Sequence, residues 1–132
     1  MNSFHSPLIV EVMPSGKKFK LHFDFTYYWE RYGIVIKVPR SFVTDFASIP
    51  QPFHAFIPKL GRYNKAAVLH DAVYQHFFLI INKQKKPFYF TRKLADLLFL
   101  DAMRDLGVSE RKRKIMYLGV RWFGWLSWRR KK

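Results

Sequence analysis

The hydrophobic period changes partway along the chain, and that change limits the folds open to it. From Leu8 to Val38 apolar residues alternate with polar ones, the period of half-buried strands. The alternation predicts strands over Leu8 to Met13, Lys18 to Phe25 and Tyr32 to Val38, with a turn at Pro14-Ser15-Gly16 and with Phe19, Leu21, Phe23 and Phe25 on one face. Past Val38 the alternation stops. Residues 39–61 hold four prolines and a glycine, which predicts an ordered but irregular connection. Helical spacing follows. Asn64 is placed to cap a helix to about Phe78, Thr91 a second to about Leu106 with Gly107 as its stop, and Ser109 with Glu110 a third to about Trp128.

An antiparallel β meander that buries one face, followed by three helices, reads as α+β. With 132 residues, 49% of them hydrophobic, and with no internal repeat or long linker, the expectation is a single domain over residues 1–132. Its strand-rich part is 1–45, its helical part 62–128, and 129–132 form a basic tail. The chain has no cysteine, which excludes a disulfide framework or a thiolate zinc site and points to a reducing compartment. Met1-Asn-Ser-Phe-His lacks the charged and apolar regions of a signal peptide. No apolar run approaches the ~20 residues a spanning helix needs.

Charge narrows the partners. Lys and Arg number 24 against nine acids, a net +15. Residues 1–45 carry +2, 46–90 carry +5 and 91–132 carry +8, so the carboxyl-terminal third faces a polyanion or an anionic surface. In that third, Arg111-Lys112-Arg113-Lys114 precede Ile115, Leu118, Trp122, Phe123, Trp125 and Trp128, and Arg129, Arg130, Lys131 and Lys132 follow. Interleaved indoles and cations suit a helix at an anionic membrane surface, with Trp122, Trp125, Trp128, Arg129 and Arg130 as interface residues. The same pattern serves nucleic acid, a less favoured partner. It also serves a helix that closes the core on one face and leaves a solvated basic tail.

Ionisable groups in apolar surroundings carry the candidate chemistry, because such groups are costly unless paired. They are Asp45, His70, Asp71 and Asp96. His70 and Tyr74, at i and i+4, share a helical face, with Asp71 turned about 100° away. Asp96 lies in an apolar helix on the stripe of Leu100 and Met103. If the first two helices pack antiparallel around this His/Asp site, Asp96 meets His70 and fixes its tautomer. A structural role suits the same residues: a buried histidine capped by a carboxylate, and Asp45 as a turn residue. His54 sits at no spacing that compels ligation, so a metal phosphohydrolase built on His54, His70, Asp71 and Asp96 is a weaker alternative.

Two resemblances arise at these residues. The strings Val43-Thr44-Asp45-Phe46-Ala47-Ser48-Ile49-Pro50, Ala66-Ala67-Val68-Leu69-His70-Asp71 with Tyr74, Ala95-Asp96 with Phe99, Ala102 and Met103, and Val120-Arg121-Trp122-Phe123-Gly124 resemble a phage and prophage family known only as domain of unknown function 1353. That resemblance implies a phage setting, with the host cytoplasm or the virion as location, and no activity. His70-Asp71-Ala72-Val73-Tyr74 is similar to the His-Asp-x-x-Tyr helix of phospholipases A2, above all the small bacterial and fungal form. There an upstream aspartate joins a calcium site and a downstream aspartate orients the histidine; here those intervals are 25 and 26 residues. The resemblance implies that His70 is the general base, Asp96 its orienting partner and Tyr74 a support. It also implies that Asp45, Asp71 and the Phe46 carbonyl hold Ca²⁺. The chain departs from those enzymes in having no cysteine and no glycine-rich calcium loop.

The function expected from these readings is a phage-associated, metal-dependent hydrolase, a phospholipase-A2-like carboxylic ester hydrolase acting on phospholipid at an anionic membrane. Two other classes compete with it: a virion or tail-assembly protein without catalysis that docks on other phage structural proteins, and a basic nucleic-acid-binding accessory protein.

Overall fold

The computed structural model describes residues 10–12, 18–44, 63–82, 87–125 and 128. The expected site residues Asp45, Phe46, His54, Arg129 and Arg130, and the turn at Pro14-Ser15-Gly16, lie outside them. Two compact units interleave along the chain, one formed by Met1–Asp45 with Phe77–Tyr89 and the other by Phe46–His76 with Phe90–Lys132.

Among the described residues the first unit holds six strands: β1 (Val10–Val12), β2 (Phe19–Leu21), β3 (Phe25–Trp29), β4 (Ile34–Val38), β5 (Val43–Thr44) and β6 (Leu79–Asn82). They form two three-stranded sheets of order β1-β2-β5 and β3-β4-β6, antiparallel throughout. Pairing of Phe25 with Val38, Tyr27 with Ile36 and Trp29 with Ile34 sets all six side chains on one face, and all six are buried. Gly33, at φ +62°, closes the β3–β4 hairpin in the left-handed conformation that glycine adopts without strain.

The strands are more numerous and shorter than the alternation predicts. Lys18 to Phe25 is no single strand, because the chain bends at His22 and Phe23. Asp24 then turns the corner: its carboxylate accepts the Arg40 backbone N–H at 2.9 Å and pairs with Lys37 at 3.2 Å. Phe23 is consequently exposed while Leu21 and Phe25 are buried, so the four expected residues do not share a face. β3 lies where the sequence reading assigns no strand, since Tyr27-Tyr28-Trp29 are consecutive aromatics that hide the alternation.

Among the described residues the second unit holds three helices: α1 (Tyr63–Tyr74), α2 (Arg92–Asp105) and α3 (Glu110–Phe123). Every residue from Ala66 to Tyr74 is buried, as a helix apolar on all sides requires. α1 begins at Tyr63, which puts Asn64 inside the first turn. It ends at Tyr74, four residues before the expected Phe78, because His76 takes a left-handed φ of +58° with no glycine to announce it. Phe77 and Phe78 then lead into β6, a short apolar run whose period does not separate strand from helix.

The caps of α2 and α3 are as expected. The Thr91 hydroxyl accepts the Leu94 N–H at 3.1 Å and the Ser109 hydroxyl the Lys112 N–H at 3.4 Å. Gly107, at φ +82°, ends α2, with Val108 N–H returning to the Met103 carbonyl at 3.0 Å. α3 runs to Phe123 with Gly124 as its cap; Trp125 and Trp128 are again helical, Trp128 N–H donating to the Gly124 carbonyl at 3.1 Å. The fold is therefore α+β, with α1 packed on α2 and α2 on α3.

The left-handed position of Gly107 is open to a direct check. Gly107→Val should lower the unfolding free energy by about 1–2 kcal/mol, the cost of a left-handed L-residue, measured by urea titration. An unchanged midpoint would mean that the turn does not constrain the α2–α3 connection.

Candidate functional site

The centre of the second unit is the Asp96 carboxylate, fully buried on the inner face of α2. Each of its oxygens has two donors nearby. Oδ1 accepts from His70 Nε2 at 2.8 Å and from the Tyr74 hydroxyl at 2.5 Å, both presented by α1. Oδ2 accepts from Arg121 Nη1 on α3 at 2.8 Å and lies 3.5 Å from Arg92 Nη1, one turn earlier on α2. His70 lies beside Asp96 and Phe99 while Tyr74, one turn on, reaches Asp96 beside Arg92. α1 and α2 thus run antiparallel, and the spacing of 26 residues places the pair in contact.

Two aromatic rings pack against the imidazole. Ring centroids of Tyr74 and Phe99 lie 4.3 and 4.7 Å from it, and Trp128 meets Tyr74 edge-on at 5.2 Å. Arg92 ties the other end of the cluster. Its Nη1 and Nη2 donate to the Val120 and Arg121 carbonyls, each at 3.0 Å, capping the last turn of α3 with positive charge where the helix dipole favours it. Gly124 packs where a side chain would not fit: a Cβ there would meet the Tyr74 hydroxyl at 2.7 Å and the Val120 carbonyl at 2.5 Å.

Electrostatics fixes the donors and acceptors. Burial alone would push the Asp96 carboxyl up. The hydrogen bond and attraction of His70, together with the bonds from Tyr74 and Arg121, outweigh it and hold the group below the ordinary aspartate value of 3.8. An ionised carboxylate only accepts, so His70 Nε2 carries the hydrogen of that bond. Burial, then the charge of Asp96, drives the Tyr74 phenol far above its ordinary range, with Arg92 opposing. Tyr74 is therefore a neutral O–H donor.

Of the expected site residues, the structure brings His70, Asp96 and Tyr74 together. Asp71 is buried on α1 and its Oδ2 accepts from Gln75 Nε2 at 2.6 Å. It is the only one of the three expected calcium ligands among the described residues. No group of three His, Cys, Asp or Glu side chains that could hold a metal stands among them, and calcium takes six to eight oxygens. Trp122 and Trp125 are exposed, whereas Trp128 lies half-buried against Tyr74 and His76.

Arg92 and Arg121 were not among the expected site residues. Both leave a signal in the sequence: Arg92 stands at i−4 from Asp96 on one helical face, and Arg121 is a lone cation in the apolar run from Val120 to Phe123.

Residues 19–120 match the family described as protein of unknown function (DUF1353), and the chain belongs to that family. No curated protein and no solved structure matches it. The matched span includes four of the five side chains of the cluster, His70, Tyr74, Arg92 and Asp96, and ends one residue before Arg121.

Two results are expected from this geometry. The depressed Asp96 carboxyl contributes stability that is present above the unfolded-state value near 3.8 and lost as pH falls below it toward the lower folded value. In acid titrations followed by circular dichroism, Asp96→Asn should flatten that acid limb while lowering stability at neutral pH; an unaltered limb would show that other carboxylates govern it. Gly124→Ala should lower the melting temperature and weaken the Tyr74–Asp96 bond, seen as loss of a slowly exchanging phenolic proton in NMR spectra.

Proposed function

We propose that this chain is a carboxylic ester hydrolase in which His70 is the general base, with phospholipid esters as its substrate class. The single observation that supports it is the bond from His70 Nε2 to Asp96 Oδ1 at 2.8 Å, on an oxygen that also takes the Tyr74 hydroxyl. A carboxylate on Nε2 sets the tautomer that leaves Nδ1 as the basic nitrogen, and the same charge stabilises the imidazolium once a proton arrives. In the proposed step His70 Nδ1 takes a proton from water as the water oxygen attacks the ester carbonyl carbon. The bond to the alkoxy oxygen then breaks, and the imidazolium returns the proton to that leaving oxygen. Tyr74, kept neutral, holds Asp96 in place.

Calcium enters this reading through Asp71, with Asp45 and the Phe46 carbonyl, as oxygen ligands that would supply electrophilic assistance to the carbonyl. A phage setting and a membrane substrate belong to the same reading.

Two features favour a second one. His70 and Asp96 are both fully buried, and two guanidiniums share the Asp96 charge, which weakens its stabilisation of an imidazolium. Both suit a virion or tail-assembly protein in which the cluster only fastens three helices together.

The readings part on turnover. Fatty-acid release from phosphatidylglycerol vesicles, with and without Ca²⁺, should fall about 10²–10⁴-fold in His70→Ala, and Asp96→Asn should lower kcat while circular dichroism stays folded. Release no greater than that of His70→Ala under either condition, with the chain present in purified phage particles, would instead establish the assembly reading.

A further inference from the structure

α3 has two faces of opposite character. Met116, Gly119 and Val120 are buried, and Arg121 reaches inward to Asp96. Beside these, Ile115, Leu118 and Trp122 stand at i, i+3 and i+7, one stripe of the helix, and all three are exposed, Trp122 at 66%. Trp125, at 44%, continues the stripe, and Phe123, at 57%, is exposed at the end of the helix. Exposed Arg111, Lys112 and Lys114 crowd the start of the same helix. Contiguous large apolar side chains facing water mark an interaction surface.

We propose that this outer stripe docks the protein on an anionic lipid bilayer, with α3 lying flat in the headgroup region. Charge complementarity selects this occupant. Residues 91–132 carry +8, which attracts an anionic surface, while the stripe itself is apolar and enters the acyl boundary with indole at headgroup depth. A nucleic acid would meet cations and stacking rings along such a face, and Ile115 and Leu118 offer it neither. A second copy would bring one +15 chain against another. No helix among the described residues is long and apolar enough to cross a membrane, so the association is interfacial. The surface stands on the side chains of α3 and does not depend on the ester chemistry of His70.

The test is flotation with vesicles of phosphatidylglycerol mixed with phosphatidylcholine, beside vesicles of phosphatidylcholine alone. The intact chain should float with the anionic vesicles and far less with the neutral ones. Leu118→Ala with Trp122→Ala should weaken partitioning by about tenfold or more. Arg111→Gln with Lys112→Gln should remove the preference for anionic lipid. His70→Ala, which abolishes the proposed hydrolysis, should bind vesicles as the intact chain does, so failure of docking and failure of catalysis are read separately. Equal partitioning of the intact chain and the Leu118/Trp122 variant would overturn the proposal. So would a dimer in light scattering that this variant dissolves, or steeply salt-dependent DNA binding without vesicle binding.

Discussion

A carboxylate withdrawn wholly from water is tolerated only where donors replace the water it has lost. Asp96 meets that demand with His70 and Tyr74 from α1, Arg121 from α3 and Arg92 from its own helix. The three helices therefore have one polar point in common, and their mutual placement follows from it. Antiparallel packing brings His70 and Tyr74, one turn apart, onto the same oxygen. The final turn of α3 is held by Arg92 through the Val120 and Arg121 carbonyls, and Gly124 allows that turn to approach Tyr74 closely. Removing any one donor leaves a buried charge short of a partner, which costs more than the pair contributes when intact.

The two oxygens of Asp96 have different surroundings. Oδ1 faces groups that exchange or withhold protons, an imidazole and a phenol; Oδ2 faces guanidiniums that stay charged at every accessible pH. This division keeps the carboxylate ionised and orients the imidazole with the same atoms. It also joins the interior to the surface, since Arg121 turns inward to Asp96 while Trp122, the next residue, turns outward. Whatever meets the outer stripe of α3 is one peptide bond away from the cluster.

Much of the helical unit was legible in the sequence because its signals are local. Thr91, Gly107 and Ser109 are the caps and stops the residues announce, and the 26-residue interval between His70 and Asp96 anticipates a contact between neighbouring helices. The arginines escaped notice because a guanidinium on a basic chain looks like one more solvent-facing cation. Only the position of Arg92 four residues before Asp96, and of Arg121 in an apolar run, distinguishes them. The sheets were less legible. Asp24 makes a corner through the backbone N–H of Arg40, sixteen residues away, and no local pattern reports a partner at that distance. His76 stops α1 in a left-handed conformation without the glycine that usually marks one, so β6 was hidden in an apolar run of either period.

The central claim is that the Asp96 carboxylate fixes the hydrogen on His70 Nε2. Long-range ¹⁵N–¹H correlation spectra of the imidazole test it most directly. Wherever Asp96 is ionised a hydrogen is expected on His70 Nε2, and loss of that order is expected in Asp96→Ala. An unprotonated Nε2 beside a protonated Nδ1 in the intact protein would contradict it.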